Sequence, residues 1–138
     1  MKLYNTTISG NCYKIRLLLS FLRLDYEKVN IDLKAKDQKK VEFLALNPLG
    51  QVPVLEDHGI YLRDSQAILC YIAREYDVEQ LWFPLEPMLM AHVLEWLFFA
   101  NQDIASSLAA ARAFYLVNKP DRKSTRLNSS HLVISYAV

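Results

Sequence analysis

The stretch LNPLGQVPVLEDHGIYLRDSQAILCYIA, residues 46–73, changes local character several times within a short span. Asn47-Pro48 stops the helical run Val41–Leu46, because a residue before proline is pushed out of the helical region. The segment Gln51-Val52-Pro53-Val54-Leu55 then has strand composition broken by a proline, which cannot donate to a ladder. Val54–Glu56 and Ile60–Leu62 pair as a hairpin around Asp57-His58-Gly59. Asp64-Ser65 reads as the cap of a helix over Gln66–Tyr76, with Ile68, Leu69, Ile72 and Ala73 as its buried stripe.

Working outward, Lys2–Thr7 reads as an opening strand. Ser9 or Asn11 caps a helix that starts near Cys12 and ends near Leu24, with Ile15, Leu18, Leu19 and Leu22 at helical spacing. Tyr26–Leu33 alternates polar and apolar residues as a half-buried strand does. Lys34–Lys40 is a lysine-rich loop or a first helical turn. The order strand, helix, strand, helix, strand, strand, helix predicts an α/β layer with one parallel pair and one antiparallel hairpin. Asp77–Pro87 reads as a linker into a helical region that runs from Pro87 to about Asn118.

The chain has 138 residues, 16 lysines and arginines against 15 aspartates and glutamates, and a formal charge of +1. That balance argues against a nucleic-acid footprint, which needs clustered basic charge. With 52% hydrophobic and 22% charged residues, global disorder is excluded. The apolar stretch Met88–Val117 is interrupted by Glu95, Asp103 and Arg112, so no membrane span is expected. Cys12 and Cys70 have no metal or disulfide spacing, and the start MKLYNTTISGN lacks a secretory pattern, which together favour a cytoplasmic location. His58 and His92 lack a second ligand at metal spacing, so no metal is expected.

The stretch 46–73, taken with ISGNCYKIRLLLSFL at residues 8–22, resembles the cytosolic glutathione transferases, in their bacterial serine- or cysteine-type branches. The two motifs together are specific, and the resemblance covers about residues 1–118. It implies a thioredoxin-like N-terminal domain of order βαβαββα, then an all-helical domain, and a homodimer. On that reading residues 1–77 bind glutathione, 78–86 are a linker, and 87–120 begin the helical domain. The co-substrate is glutathione and the partner a small electrophile.

The chemistry of the residues fits what the family implies. A Val52-Pro53 bond in a strand is best explained by a cis peptide, which leaves the Val52 backbone groups free to pair with an extended peptide. Asp64 and Ser65 offer a carboxylate, a hydroxyl and helix N–H groups, which suit the ammonium and carboxylate of a γ-glutamyl end. Ser9 matches the family's catalytic position near the glutathione sulfur, and Asn11 is the second choice. A free thiol has a pKa of about 8.5, so a donor beside it is needed to favour thiolate at neutral pH. Gln51 matches a family contact to the glycyl or cysteinyl part of glutathione, and Gln38 a further contact to the glycine carboxylate, with Lys36 or Lys39 as electrostatic substitutes. Cys12 lies three residues past the family's nucleophile position and reads as a bystander. Cys70 reads as buried and inert, and Tyr4 as strand packing. The rival functions on this fold are a glutathione-dependent disulfide or peroxide reductase and a non-catalytic interaction module.

The end of the chain departs from the family. DRKSTRLNSSH, from Asp121 to His131, is a one-frame translation of a common short-read sequencing adapter. Asp121–Val138 is therefore expected to be adapter-derived, with the gene's own frame interrupted near Pro120. That expectation leaves the stripe Leu89, Val93, Trp96, Leu97 and Phe99 short of helical partners.

Overall fold

The structure is a computed structural model that describes residues 1–118. The expected adapter-derived run Asp121–Val138 lies outside the described residues. The described chain falls into a compact unit Met1–Leu97 and a second unit from Phe98 onward.

The first unit is built on a four-stranded sheet of order β2-β1-β3-β4. The strands are β1 (Lys2–Asn5), β2 (Glu27–Asn30), β3 (Val54–Asp57) and β4 (Ile60–Arg63). β1 pairs parallel with β2 and antiparallel with β3, and β3 pairs antiparallel with β4. The expected parallel pair and hairpin are both present. His58 and Gly59 form the hairpin turn, both at positive φ (48° and 78°), as a two-residue turn matched to strand twist requires.

Side-chain alternation decides which face of the sheet meets which helices. Leu3 and Leu55 are opposite each other in register and fully buried. They pack with Ile15, Leu18 and Leu19 of α1 (Gly10–Phe21) and with Ile68, Ile72 and Ala73 of α3 (Ser65–Tyr76). Tyr4 points to the other face. It meets Phe43 of α2 (Val41–Leu46) edge-on at 6.2 Å and donates to Glu56 Oε2 at 3.1 Å. The layers are thus α1 and α3, the sheet, and α2.

Two strands end earlier than their composition suggests, and side chains explain both. β1 stops at Asn5 because the Arg16 guanidinium donates to the carbonyls of Thr6 and Thr7, at 3.3 and 3.5 Å. β2 stops at Asn30, and two residues on Asp32 Oδ1 accepts from the N–H groups of Lys34 and Ala35, at 2.8 and 3.1 Å. Such a turn competes with the ladder. It leads to a single 3₁₀ turn at Asp37–Lys39.

A helix α4 (Pro87–Phe99) follows, and its first turn is capped by Glu86 accepting from the N–H groups of Met88 and Leu89. In the second unit Ala100–Ala109 is wound as a π-helix and α5 spans Ala110–Asn118. The hydroxyls of Ser106 and Ser107 donate to the carbonyls of Gln102 and Asp103. Hydroxyl bonds to the carbonyl four residues back compete with the regular α ladder. Among the described residues no helix is long and apolar enough to cross a membrane.

Candidate functional site

Ser9 is the residue that caps α1. Its backbone is extended, and its Oγ accepts from Cys12 N at 3.2 Å. A hydroxyl that accepts from an N–H keeps its own hydrogen to donate, so capping and thiolate donation are compatible in one residue. Asn11 lies exposed in the first turn of α1.

Asp64 caps α3 in the same way. Its Oδ1 accepts from Gln66 N at 2.8 Å and Ala67 N at 3.3 Å. The residue has φ 71° and ψ 123°, a combination that non-glycine residues seldom adopt and that clusters at functional sites. The next residue, Ser65, is buried.

Between these two helix starts lies the loop from Asn47 to Pro53. Asn47, which is buried, organises it: its Nδ2 donates to Gln51 O at 2.8 Å and its Oδ1 accepts from Leu49 N at 3.1 Å. Gly50, at φ 59°, closes the turn by donating to Asn47 O at 2.8 Å. The Val52-Pro53 bond is cis. No described hydrogen bond engages the Val52 backbone, which stands just before β3 and outside its ladder.

These segments enclose a small polar cavity of about 70 Å³. Asn11, Gln51, Val52, Pro53, Asp64 and Ser65 all line it. Ser9 and Gln38 do not. Ser9 stands two residues before Asn11 at the helix start. Gln38 sits in the 3₁₀ turn, and its Oε1 is buried without a partner. Its carbonyl lies 2.7 Å from where a β-carbon on Gly50 would stand. Of the two electrostatic substitutes, Lys39 donates to Leu49 O at 3.3 Å, and Lys36 starts the 3₁₀ turn at φ 58°.

Asn47 and Arg63 also line the cavity and were not singled out in the sequence. The Asn-Pro dipeptide marked Asn47 as a helix stop, but its side-chain role depends on a carbonyl brought back by the loop. Arg63 ends β4 directly before the Asp64 cap, and that position was the available signal.

The other single-residue readings can be placed as well. Burial first, then the bond to Glu56, pushes the Tyr4 hydroxyl up to about 12, and its hydrogen is already donated to Glu56 on the face of the sheet that carries α2. Cys12 is buried, and Cys70 is half-buried with its thiol pushed up by burial. His58 stands 3.4 Å from the Tyr76 hydroxyl, and His92 2.7 Å from Glu95 Oε2. Among the described residues no three or more His, Cys, Asp or Glu side chains gather as a metal site would require. A larger cavity of about 330 Å³ lies on the helical side of the sheet and is walled by apolar side chains, with Lys14 at its edge.

Comparison with known proteins shows the family of the chain. A family model described as glutathione S-transferase, N-terminal domain, matches residues 1–74. The chain is 35% identical over 121 residues to a glutathione S-transferase of Hyoscyamus muticus, covering 87% of this chain and 57% of that protein. It is 34% identical over 97 residues to glutathione S-transferase theta-1 of Bos taurus, covering 70% of this chain and 40% of that one. Among solved structures, a glutathione S-transferase from Pseudomonas fluorescens superposes with a TM-score of 0.80 at 37% identity, over 94% of this chain and 64% of that one. The chain spans roughly half the length of such relatives. The matched residues 1–74 contain both helix caps and the Val52-Pro53 loop, and the chain belongs to the glutathione S-transferase N-terminal domain family.

Proposed function

We propose that the polar cavity binds glutathione and that the intact protein is a glutathione transferase, adding the glutathione sulfur to a small electrophile. The observation that supports this most is the convergence of Asn11, Gln51, Val52, Asp64 and Ser65 on one polar pocket at the start of α3. The pocket is too small for a tripeptide and suits one charged end of it. The Asp64 carboxylate pairs with the γ-glutamyl ammonium. The Ser65 hydroxyl and the α3 N–H groups receive the γ-glutamyl carboxylate, where the helix dipole favours negative charge. The Val52 N–H and C=O pair with the ligand's peptide backbone as an added strand would. Gln51, beside Val52 at the pocket, contacts the cysteinyl or glycyl part, and Gln38, outside the pocket, contacts the glycine carboxylate.

Ser9 donates its hydroxyl hydrogen to the sulfur, and Asn11 is the alternative donor. Lowering the thiol pKa by about two units corresponds to roughly 2.7 kcal/mol of preference for the anion. The thiol proton passes to solvent, and the thiolate forms a sulfur–carbon bond to the electrophile, which either opens a π bond and takes up a proton or releases its leaving group to solvent. In this reading residues 1–77 are the glutathione-binding domain, 78–86 the linker and 87–120 the start of the helical domain. The protein is cytoplasmic and assembles as a homodimer.

Calorimetric titration of glutathione into the protein tests the proposal, with Ser65→Ala and Ser9→Ala as variants. Saturable binding is expected, weakened by Ser65→Ala. Absence of binding at millimolar glutathione overturns it and favours an interaction module. Disulfide-reductase turnover without conjugation moves the chemistry to a reductase.

A further inference from the structure

Gln66 directly follows Ser65, and both ends of its amide are engaged. Lys14 Nζ donates to its Oε1 at 3.0 Å, and its Nε2 donates to Leu97 O at 2.9 Å. Its backbone N–H is the one held by Asp64 Oδ1 at 2.8 Å. A single residue is therefore fixed from α1, from α4 and from the α3 cap.

Lys14 gives this contact its reach. It lies on α1, near one and a half turns after Ser9. It is half-buried at the edge of the large apolar cavity. Burial pushes its ammonium down, and the negative charge of Asp64 opposes that shift. An ammonium in such surroundings has few alternatives to its protein acceptor, and a charge-assisted bond is stronger than a neutral one.

We infer that Lys14 and Gln66 are positioning residues for the proposed glutathione site. They lock the helix start that carries Ser9 and Asn11 against the helix start that carries Asp64 and Ser65. Neither residue lines the polar cavity; both act through Asp64 and Ser65. The inference rests on the glutathione reading for its binding consequence, but the clamp itself can be read without ligand.

The experiment compares the full chain with Lys14→Met, Lys14→Arg, Gln66→Met and the Lys14→Met/Gln66→Met pair. Two quantities are measured: glutathione affinity by calorimetry, and hydrogen exchange of the Gln66 and Ala67 amides without ligand. Each single methionine variant should weaken binding and speed exchange by about tenfold, and the pair should be no worse than the poorer single, as coupled residues behave. Lys14→Arg should stay within about threefold of the parent, since a guanidinium can make the same donation. Parent-like affinity and exchange in Lys14→Met overturn the inference. So does a lowered melting temperature with both site readouts unchanged. If the parent itself does not bind glutathione, the functional reading fails while the exchange rates still decide on the clamp. If Lys14→Met does not fold, Gln66→Met and Lys14→Arg carry the same comparison.

Discussion

Arg16 on α1 reaches back to Asn5 at the end of β1. Its guanidinium bonds the Asn5 side-chain oxygen and also the carbonyls of Thr6 and Thr7. Asn5 is fully buried, and its amide nitrogen donates to Asn30 Oδ1 at 3.4 Å. The bend that leads to Ser9 is thus held by a cation from the helix that Ser9 itself caps. Arg16→Ala should leave a buried acceptor unsatisfied and cost about 1–3 kcal/mol. Arg16→Lys should recover part of that, because an ammonium cannot reproduce the planar fork. Urea unfolding measures both, and an unchanged midpoint for Arg16→Ala counts against the anchor.

Asp64 combines a cap with an uncommon backbone conformation. Asp64→Asn keeps an acceptor and tolerates positive φ, so its stability should stay near the parent's. Asp64→Gly relieves the backbone but loses the side-chain acceptor. Asp64→Ala loses the cap, worth about 1 kcal/mol, and keeps a β-carbon at φ 71° with no local bond to offset it. The expected order of thermal midpoints is Asn, then Gly, then Ala. A glycine variant less stable than the alanine variant contradicts the backbone argument.

Gly50 has no room for a side chain. A β-carbon there would stand 2.7 Å from Gln38 O and 2.8 Å from Lys39 Nζ, and φ is 59°. The lysine end can swing away, but the Gln38 carbonyl is backbone. Gly50→Ala should therefore displace the turn Asp37–Lys39 and destabilise the fold by about 1–3 kcal/mol. Amide chemical shifts of residues 36–40 would report the displacement. Unmoved shifts would sink the argument.

Asp57 governs acid stability. It is buried, and burial pushes its carboxyl up. The hydrogen bonds from Tyr76 (2.5 Å) and Tyr71 (2.9 Å), with the charges of His58 and the amino group of Met1, outweigh burial and hold it below the usual carboxylate range. The folded pKa lies below the unfolded value of about 3.9. The stabilisation is therefore present above that value and lost as pH falls through the folded one. Denaturant midpoints measured from neutral to acid pH should drop there, and Asp57→Asn should flatten the drop. An equally steep profile in Asp57→Asn would reassign the effect to other carboxylates.

Ser9→Ala should separate two roles. Loss of the α1 cap costs about 1 kcal/mol of stability, visible without ligand. Loss of the donor should raise the pKa of bound glutathione's thiol, read from thiolate absorbance against pH. If stability falls and the thiol pKa stays, Ser9 only caps, and Asn11 is the residue to substitute next.

The elements were legible wherever their signals are local. Asn47-Pro48 stopped α2 at Leu46, and Asp64 capped α3 within its own first turn. His58-Gly59 set the hairpin turn. Strand ends were less legible. β1 stops at Asn5 because of Arg16, eleven residues on, and no pattern of alternating hydrophobicity carries that. The choice between Ser9 and Asn11 as the α1 cap was open in the sequence because both residue types cap helices. The extended backbone at Ser9 and its bond to Cys12 N decide it.

The sequence by itself determined the order of strands and helices, the parallel pair, the hairpin and the two capped helix starts. Each depends on interactions within a few residues, on the period of one segment or, for the parallel pair, on the strand-helix-strand order. Only the tertiary structure decided which residues share the polar pocket. Asn11, Gln51 and Asp64 belong to three separate segments, and they converge because Leu3, Ile15, Leu55 and Ile68 bury one another in a single core. The same packing brings Lys14 to Gln66, fifty-two residues away. Burial of apolar surface is non-directional, so the core sets the separation of α1 and α3, and the polar contacts between them select the register.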